Sequence, residues 1–324
     1  MGDVLLIAHR GASGYRPEHT LEAYRLAVEM GADVIEPDVV STRDGVLVVR
    51  HENEMGGTTD VASRPEFADR QSEKTIDGRA VTGWFTEDFA LAELKTLRAT
   101  ERLPGLRPAS AVYNGQFQVA TLDEVLRLAE ALGAARGRAV GVYPETKHPS
   151  YFREIGLPLE EKLVAALHGA GYTSREDPAW IQSFEVGNLR QLRRETDLRL
   201  VQLAEATGGP FDLPGATYRA RMSPAGLAEV ATYADAVGVA KALVLDPQTL
   251  APTPLVRDAH YAGLAVHVWT LRAENAFLPP ALRSASPEPG DHGDLAAEAH
   301  ALAEVGVDGV FTDHPDLVAD ALAR

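Results

Sequence analysis

The sequence predicts an α/β protein, namely a (β/α)₈ TIM barrel with a small inserted cap region. Short β-rich runs alternate with amphipathic helical segments, and eight such pairs are found along the chain. Alternation of this kind is typical of parallel β-α-β units, and eight units closed within one domain form a barrel. An open doubly wound sheet is the alternative, but the glycine-rich first turn of a dinucleotide-binding fold is missing.

Eight barrel strands are expected from short runs of apolar and β-branched residues. They cover residues 4–8, 34–40, 139–143, 180–184, 198–203, 236–239, 265–271 and 309–312. A further β-like run at 46–50 follows the turn Arg43-Asp44-Gly45. This run is predicted to form a hairpin-like excursion from the second strand.

Eight helices are expected where apolar residues recur at helical spacing. They cover residues 19–31, 122–132, 159–167, 186–194, 224–234, 255–262, 295–305 and a last segment from 316. In the first helix Leu21 and Tyr24 share a face, and Gly31 is the expected C-terminal stop. The second helix is expected to begin with Thr121 as N-cap, because Glu124 three residues later completes a capping box.

Three polar, Gly- and Pro-containing segments interrupt the regular alternation: residues 53–118, 205–222 and 272–292. Each follows a predicted strand, so each is expected on the face of the barrel where catalytic groups are found. The first is too long for an ordinary loop and is expected to form a small cap. We therefore predict one domain over residues 1–324 with an insertion at 53–118.

Composition excludes several classes of protein. The formal net charge of −16 argues against nucleic-acid binding, because an acidic surface repels phosphate backbones. The absence of cysteine excludes disulfides, zinc–thiolate sites and cysteine nucleophiles. No apolar run approaches the ~18 residues of a membrane span, and no signal peptide is visible. A periplasmic or secreted mature form and a cytoplasmic protein both fit this pattern, and the oligomeric state stays open.

Chemically active side chains follow four predicted β runs. They occur in His9-Arg10 with Pro17-Glu18-His19 after it, in Glu36-Pro37-Asp38, in His51-Glu52 and in Glu145-Thr146-Lys147. Taken singly, a Glu-x-Asp pair or a lone histidine is more often an ordinary surface feature. Their occurrence together at strand ends predicts a site with a cation, cationic phosphate binders and two proton carriers.

Glu36 and Asp38 are two residues apart on a strand, so their side chains point to the same side. Two adjacent carboxylates repel each other, and a hard divalent cation removes this repulsion. Glu145, after the third strand, is the natural third ligand. We therefore expect Ca²⁺ or Mg²⁺ at these three carboxylates.

The same residues resemble the signature of the glycerophosphodiester phosphodiesterase family. The resemblance rests on IAHRGASGYRPEHTLEAY, GADVIEPDVVSTRDGVLVVRHE and VYPETK, followed by WTL and GVDGVFTDHPDL, in the family's order along almost the whole chain. The long insertion after His51 is similar to the branch typified by bacterial periplasmic enzymes. The resemblance implies a barrel enzyme that hydrolyses glycerophosphodiesters, which are small-molecule substrates.

Carried over residue by residue, the resemblance implies roles for most of the site. It implies catalytic histidines at His9 and His51, metal ligands at Glu36, Asp38 and Glu145, phosphate or substrate contacts from Arg10 and Lys147, support from Glu18, and a pocket-lining Trp269. A barrel-core position for Trp269 is an equal alternative. Phe152 or Tyr151, just after the third strand, is expected to line an apolar wall for the glycerol backbone, with ordinary loop packing as the alternative. The family usually has Asp after the second histidine, so Glu52 is a departure whose role is open.

For the chemistry we expect His9 to act as general base and His51 as general acid. The first nucleophile is either water or the neighbouring glycerol hydroxyl, which would give a cyclic phosphate. The rival enzyme is a related phospholipase D-like lyase acting on lysophospholipid or sphingolipid head groups, but the long insertion and the absent cysteines argue against it. A non-catalytic relative would be expected to lack one of the five histidine and metal-ligand positions, and all are present.

Overall fold

The structure, a computed structural model, describes residues 4–323 and contains an eight-stranded parallel barrel. Its strands, together with an excursion and a separate hairpin, are β1 (Leu5–His9), β2 (Val34–Glu36), β3 (Asp38–Ser41), β4 (Leu47–Val49), β5 (Ser72–Ile76), β6 (Arg79–Gly83), β7 (Gly141–Val142), β8 (Glu145–Thr146), β9 (Trp180–Ser183), β10 (Arg199–Ala204), β11 (Ala236–Ala240), β12 (Ala265–Leu271) and β13 (Gly309–Thr312).

Two of the eight barrel strands are each divided by a proline. Pro37 separates β2 from β3, and Tyr143-Pro144 separates β7 from β8. The ladder between these two barrel strands continues across the interruption, because Tyr143 N donates to Ile35 O at 3.0 Å and Glu145 N donates to Pro37 O at 2.9 Å. β1 pairs with β2 on one side and with β13 on the other, which closes the barrel. The predicted fold is confirmed.

The eight predicted helices are present in the described part of the chain, with shorter neighbours between them. The helices are α1 (Leu21–Glu29), α2 (Leu91–Leu94), α3 (Pro108–Ala111), α4 (Leu122–Arg136), α5 (Pro149–Glu154), α6 (Glu160–Gly169), α7 (Val186–Glu195), α8 (Tyr218–Arg221), α9 (Pro224–Val230), α10 (Leu255–Tyr261), α11 (Leu295–Val305) and α12 (Pro315–Ala321). The predicted capping box is confirmed: Glu124 N donates to Thr121 Oγ1, and Thr121 N donates to the Glu124 carboxylate.

Two apolar layers support the barrel. A large cluster lies between the strands and the surrounding helices, whereas a smaller one fills the inside of the barrel. Inside, Tyr143 stacks on Trp180 with a centroid distance of 5.5 Å and meets Phe311 edge to face. The Tyr143 hydroxyl lies 2.7 Å from His267 Nδ1, so its polar end is satisfied within the packed interior.

Residues 53–118 begin after an antiparallel excursion in which β4 pairs with β3. The insertion contains the β5–β6 hairpin, which turns at Asp77-Gly78 with positive φ at both residues, as a two-residue type I′ turn requires. Several of its apolar side chains belong to the large cluster between strands and helices, namely Met55, Val61, Phe67, Phe89, Leu94 and Leu97. The division into one domain with a cap stays a prediction.

Within residues 4–323, no helix is both long and apolar enough to cross a membrane.

Phe152 does not occupy the position that was expected for it. Its side chain, on α5, is fully buried and packs in the cluster between strands and helices. It lines neither of the two cavities at the mouth of the barrel. The α-helix that follows His148 turns this side chain inward, so Phe152 stabilises the core and the prediction of a substrate wall is corrected.

We therefore expect Phe152→Ala to destabilise the protein without a direct effect on substrate binding. The loss of a buried phenyl ring costs about 3–5 kcal/mol, measured as a lower urea midpoint. The neighbouring Ile155, which is 42% exposed, provides a control, since Ile155→Ala should leave the midpoint near the wild-type value. A selective rise in the KM of a folded Phe152→Ala variant would contradict this assignment.

Candidate active site

Three carboxylates meet at the C-terminal ends of the second and third barrel strands. Asp38 and Glu145 are direct partners in the β3–β8 register, and Glu36 pairs with His9 across β1–β2. One oxygen from each of Glu36, Asp38 and Glu145 lies within 4.8 Å of the others, and all three side chains are buried. The structure thus brings the three predicted metal ligands together.

Burial makes this cluster electrostatically unfavourable without a cation. Burial, followed by repulsion from Asp38, raises the pKa of Glu36 well above its ordinary value. Burial also raises the pKa of Glu145 to about 8, against the opposing effect of the Lys147 ammonium. For Asp38 burial again favours a higher pKa, but Lys147 and a hydrogen bond from His19 outweigh it and hold the pKa well below its usual range. Lys147 Nζ donates to Glu145 Oε1 at 2.7 Å.

The donor set fits a hard divalent cation. All the ligand atoms are carboxylate oxygens, and Asp38 Oδ1 is buried without a hydrogen-bond partner in the described part of the chain. A buried oxygen of this kind is normally satisfied by a partner, and a cation would provide one. The structure therefore contains the buried acidic cluster that a divalent-metal enzyme requires.

His9, at the end of β1, forms the first of two histidine–carboxylate dyads. Its Nδ1 lies 2.6 Å from Asp313 Oδ1, and because an ionised carboxylate only accepts, the proton resides on Nδ1. Two guanidinium groups hold Asp313 Oδ2: Arg107 Nη2 at 2.6 Å and Arg272 Nε at 2.7 Å. Burial, then the positive charge of Arg10, lowers the pKa of His9 to about 4. At neutral pH its ring is therefore uncharged.

His51 and Glu52, in the loop after β4, form the second dyad. His51 Nδ1 lies 2.5 Å from Glu52 Oε1, and burial followed by Arg10 lowers the pKa of His51 to about 3. Arg102 binds both Glu52 oxygens, at 3.0 and 2.7 Å. The role of Glu52 that the sequence left open is thus a contact with His51, whereas the three-carboxylate cluster forms without it.

Arg10 connects the cluster to the second dyad through a chain of alternating charges. Its backbone N donates to Glu36 Oε2 at 2.9 Å, and its Nη1 donates to Glu18 Oε2 at 3.2 Å. Glu18 in turn accepts from Arg102, which also holds Glu52. Arg10 has a backbone φ of +61°, a value that residues other than glycine rarely adopt. The strained backbone at the end of β1 places the Arg10 amide against the carboxylate cluster.

These groups line one cavity of about 460 Å³ at the mouth of the barrel. Its wall includes His9, Arg10, Glu36, His51, Glu145, Lys147, Gln182, Phe184 and Trp269. Trp269, at the end of β12, therefore faces the cavity, although its role in substrate contact stays a prediction. Glu18 lies behind Arg10 and contacts it without lining the cavity. The arrangement can bind an anion, hold a cation and move protons at two points.

Comparison with known proteins agrees with this geometry. The model of the glycerophosphoryl diester phosphodiesterase family matches residues 9–317. The chain belongs to this family. It is 36% identical to the glycerophosphodiester phosphodiesterase GDPD6 of Arabidopsis thaliana, over 95% of this chain and 82% of the relative. It is 31% identical to the glycerophosphodiester phosphodiesterase of Haemophilus influenzae, over 97% of this chain and 88% of the relative.

Among solved structures, the barrel is similar to an Oleispira antarctica phosphodiesterase in complex with the product sn-glycerol-3-phosphate. The TM-score is 0.62, the sequence identity is 21%, and the match covers 99% of this chain and 97% of the other. At that identity the likeness supports the fold alone. Membership of the glycerophosphoryl diester phosphodiesterase family confirms the enzyme class that the resemblance implied: the protein is a phosphodiesterase that acts on glycerophosphodiesters.

Several residues around this phosphodiesterase site were not predicted in their present roles. Asp313 lies within the last family motif but had no assigned role, and its position after the last barrel strand is the signal that could have found it. Gln182, at the end of the fourth predicted strand, had no assigned role, and it donates to Glu36 Oε1 at 2.9 Å. His19 occurs in the first motif but without an assigned partner, and it contacts Asp38. Arg102 and Arg107 lie in the insertion, where no sequence pattern distinguishes them from other arginines.

We expect Arg102→Met to lower kcat/KM by about tenfold or more, in line with the 10–100-fold effects of removing groups that orient ligands. Arg102 joins Glu18 and Glu52, so its loss frees both Arg10 and His51 to move. Arg98→Met is the matched control in the same insertion, because Arg98 donates to backbone carbonyls outside the cavity. A steady-state assay beside a thermal unfolding scan checks the expectation, which fails if the Arg102 variant is folded and fully active.

Proposed function

We propose that this phosphodiesterase releases glycerol 3-phosphate and an alcohol by proton transfer between substrate and two histidine–carboxylate dyads beside a divalent cation. The observation that supports this proposal most strongly is that His9 and His51 line the same cavity as Glu36 and Glu145. Asp38, the third proposed ligand, completes the cluster from behind the cavity wall. The Oleispira antarctica phosphodiesterase of similar fold is in complex with sn-glycerol-3-phosphate, the same product that is proposed here.

Glu36, Asp38 and Glu145 are the proposed ligands of Ca²⁺ or Mg²⁺, since the three donors are hard oxygen atoms. When bound, such a cation supplies positive charge to the phosphoryl oxygens as negative charge develops on them. Lys147 Nζ lies beside Glu145, so the lysine ammonium adds positive charge at the same edge of the cavity. Together these groups overcome the unfavourable field of an acidic protein.

The phosphate of the substrate is proposed to lie between Arg10 and Lys147, which both line the cavity. The planar guanidinium of Arg10 can donate two hydrogen bonds to the non-bridging oxygens, whereas the lysine ammonium acts as a compact charge. Glu18 holds the Arg10 side chain in place from behind. The two cations thereby stabilise the charge that increases in the transition state.

His9 is proposed as the general base and His51 as the general acid. In each dyad a carboxylate accepts from Nδ1, which leaves Nε2 for exchange with the substrate. Burial keeps both rings neutral in the free enzyme, which suits His9 for accepting a proton from the attacking oxygen, either of water or of the neighbouring glycerol hydroxyl. In the second case a cyclic phosphate forms as the alcohol leaves, and water then opens it to glycerol 3-phosphate. The negative charge of a bound phosphodiester raises the pKa of His51 and favours the protonated form that gives its proton to the leaving alcohol.

Substitution of either histidine tests these roles. We expect His9→Ala and His51→Ala each to lower kcat by about 10²–10⁴-fold, the usual contribution of general acid–base catalysis. His300→Ala is a suitable control, because His300 is exposed and its ring contacts a backbone carbonyl on α12. Rates near wild type in both site variants, measured as release of glycerol 3-phosphate, would exclude the two residues as proton carriers.

Removal of divalent ions tests the carboxylate cluster and the reaction type together. With a chelator present we expect no glycerol 3-phosphate to form, and with Mg²⁺ or Ca²⁺ restored we expect the rate to return, because the buried carboxylates repel substrate without a cation. The rate of the Asp38→Asn variant should not return when Mg²⁺ or Ca²⁺ is restored. Full activity after exhaustive chelation would rule out a metal role, and accumulation of a cyclic phosphate as the final product would favour the lyase alternative.

A further inference from the structure

A second cavity of about 460 Å³ opens beside the catalytic one and shares part of its wall. Glu145, Lys147, Phe184 and Glu205 line both cavities. A phosphodiester has two ester arms that extend in different directions from phosphorus. If the phosphoryl group is bound near Lys147, as proposed above, one arm lies in the first cavity and the other arm can enter the second.

Two of the segments that interrupt the barrel pattern form the outer walls of this second cavity. One wall is the β5–β6 hairpin, which contributes Ile76, Asp77, Arg79 and Val81, and the other is the segment after β10, which contributes Gly209, Phe211 and Tyr218. The walls approach each other at the lip, since a Cβ atom on Gly78 would lie 3.8 Å from the Phe211 ring. Phe211 is nevertheless 45% exposed, so part of its ring is free.

Three aromatic rings run from the catalytic cavity into the second one. Phe184 meets Trp269 edge to face with a centroid distance of 6.0 Å, and it meets Tyr218 at the same distance. Trp269 lines the first cavity, Tyr218 lines the second, and Phe184 lines both. Lys147 Nζ already lies 5.7 Å from the centroid of the Phe184 ring, and the Tyr218 and Phe211 rings provide further π faces that can bind a cation.

The remaining lining of the second cavity is acidic. The cavity as a whole has six carboxylates, from Glu52, Glu54, Asp77, Glu145, Glu185 and Glu205, against the Arg79 guanidinium and the Lys147 ammonium. Glu205 stands where the two cavities join and, within residues 4–323, forms no ion pair. Asp77 contacts His148 through Oδ2, and its other oxygen is buried without a hydrogen-bond partner among the described residues. Glu52 is paired with Arg102 and Asp77 with His148, but the carboxylates still outnumber the cationic groups. An excess of negative charge beside aromatic faces favours a cation and disfavours an anion.

We infer that the second cavity receives the alcohol arm of a glycerophosphodiester whose alcohol bears a cationic ammonium group, such as a choline or ethanolamine ester. This inference rests on the proposed function, because the phosphate position sets which arm reaches the cavity. Glu52, which holds His51, lies in the wall of the same cavity. The leaving oxygen of an alcohol bound there is therefore on the side of the proposed general acid.

The test compares three diesters that share the glycerophosphate part: glycerophosphocholine, glycerophosphoethanolamine and the neutral glycerophosphoglycerol. We expect the wild-type enzyme to have a higher kcat/KM for the two cationic substrates. Glu205→Gln and Phe211→Ala should each reduce that preference by about fivefold, the size of a partly exposed cation–π or ion-pair contact, with kcat/KM for glycerophosphoglycerol unchanged. Glu229→Gln is the matched control, since Glu229 pairs with Arg190 on the outside of the barrel.

Equal kcat/KM values for the three substrates, or a preference that survives in both cavity variants, would overturn the inference. A larger effect on choline than on ethanolamine would assign the contact to the aromatic faces, and the reverse would assign it to the carboxylates. Failure of the proposed function has a different signature, namely no glycerol 3-phosphate from any of the three. In that case the binding of the intact diesters to the His51→Ala variant can be measured by calorimetry. We expect the cationic diesters to bind more tightly than the neutral one, and equal affinities would contradict the inference.

Discussion

The site depends on one constraint: three carboxylates, each with one oxygen within 4.8 Å of the others, are held together in buried positions. Like charges that are buried together strongly disfavour full ionisation unless positive charge is placed against them. Lys147 contacts Glu145, the Arg10 amide contacts Glu36, and His19 contacts Asp38, so each carboxylate has a different partner. These partners leave a further positive charge to be supplied, and the proposed divalent cation would supply it.

The insertion after β4 also takes part in the site, because it supplies the arginines that bind the carboxylates of the two dyads. Arg102 binds the carboxylates beside Arg10 and His51, and Arg107 binds the carboxylate beside His9. Each histidine therefore has its partner held by an arginine that comes from outside the barrel. Rings fixed in this way present the same nitrogen to the substrate, which proton transfer requires. The insertion thus holds the carboxylates of the two dyads, whereas the barrel strands position the three carboxylates of the acidic cluster.

The barrel strands carry the groups proposed for the chemistry, whereas the long connections are proposed to select the substrate. Strand ends carry the carboxylates and His9, whose positions are set by the backbone ladder of the barrel. The β5–β6 hairpin and the segment after β10 surround the neighbouring cavity, where the alcohol arm is proposed to lie. Connections of this kind can change without disturbing the barrel core, because few of their backbone groups take part in the ladder. Differences in substrate preference are therefore expected to arise in these segments.

The sequence by itself determined the barrel, its strand order and the residues of the acidic cluster, because period-two and helical patterns and strand-end positions are local properties. It also determined Arg10, His9 and His51 as members of one site, through motifs that occur in a family's order. Only the tertiary structure decided which carboxylate serves each histidine and which arginines hold those carboxylates. Such contacts join residues as distant as Arg107 and Asp313, and no local pattern records them. Phe152 shows the same limit, since a helix directly after a strand end turns one face to the cavity and another to the core.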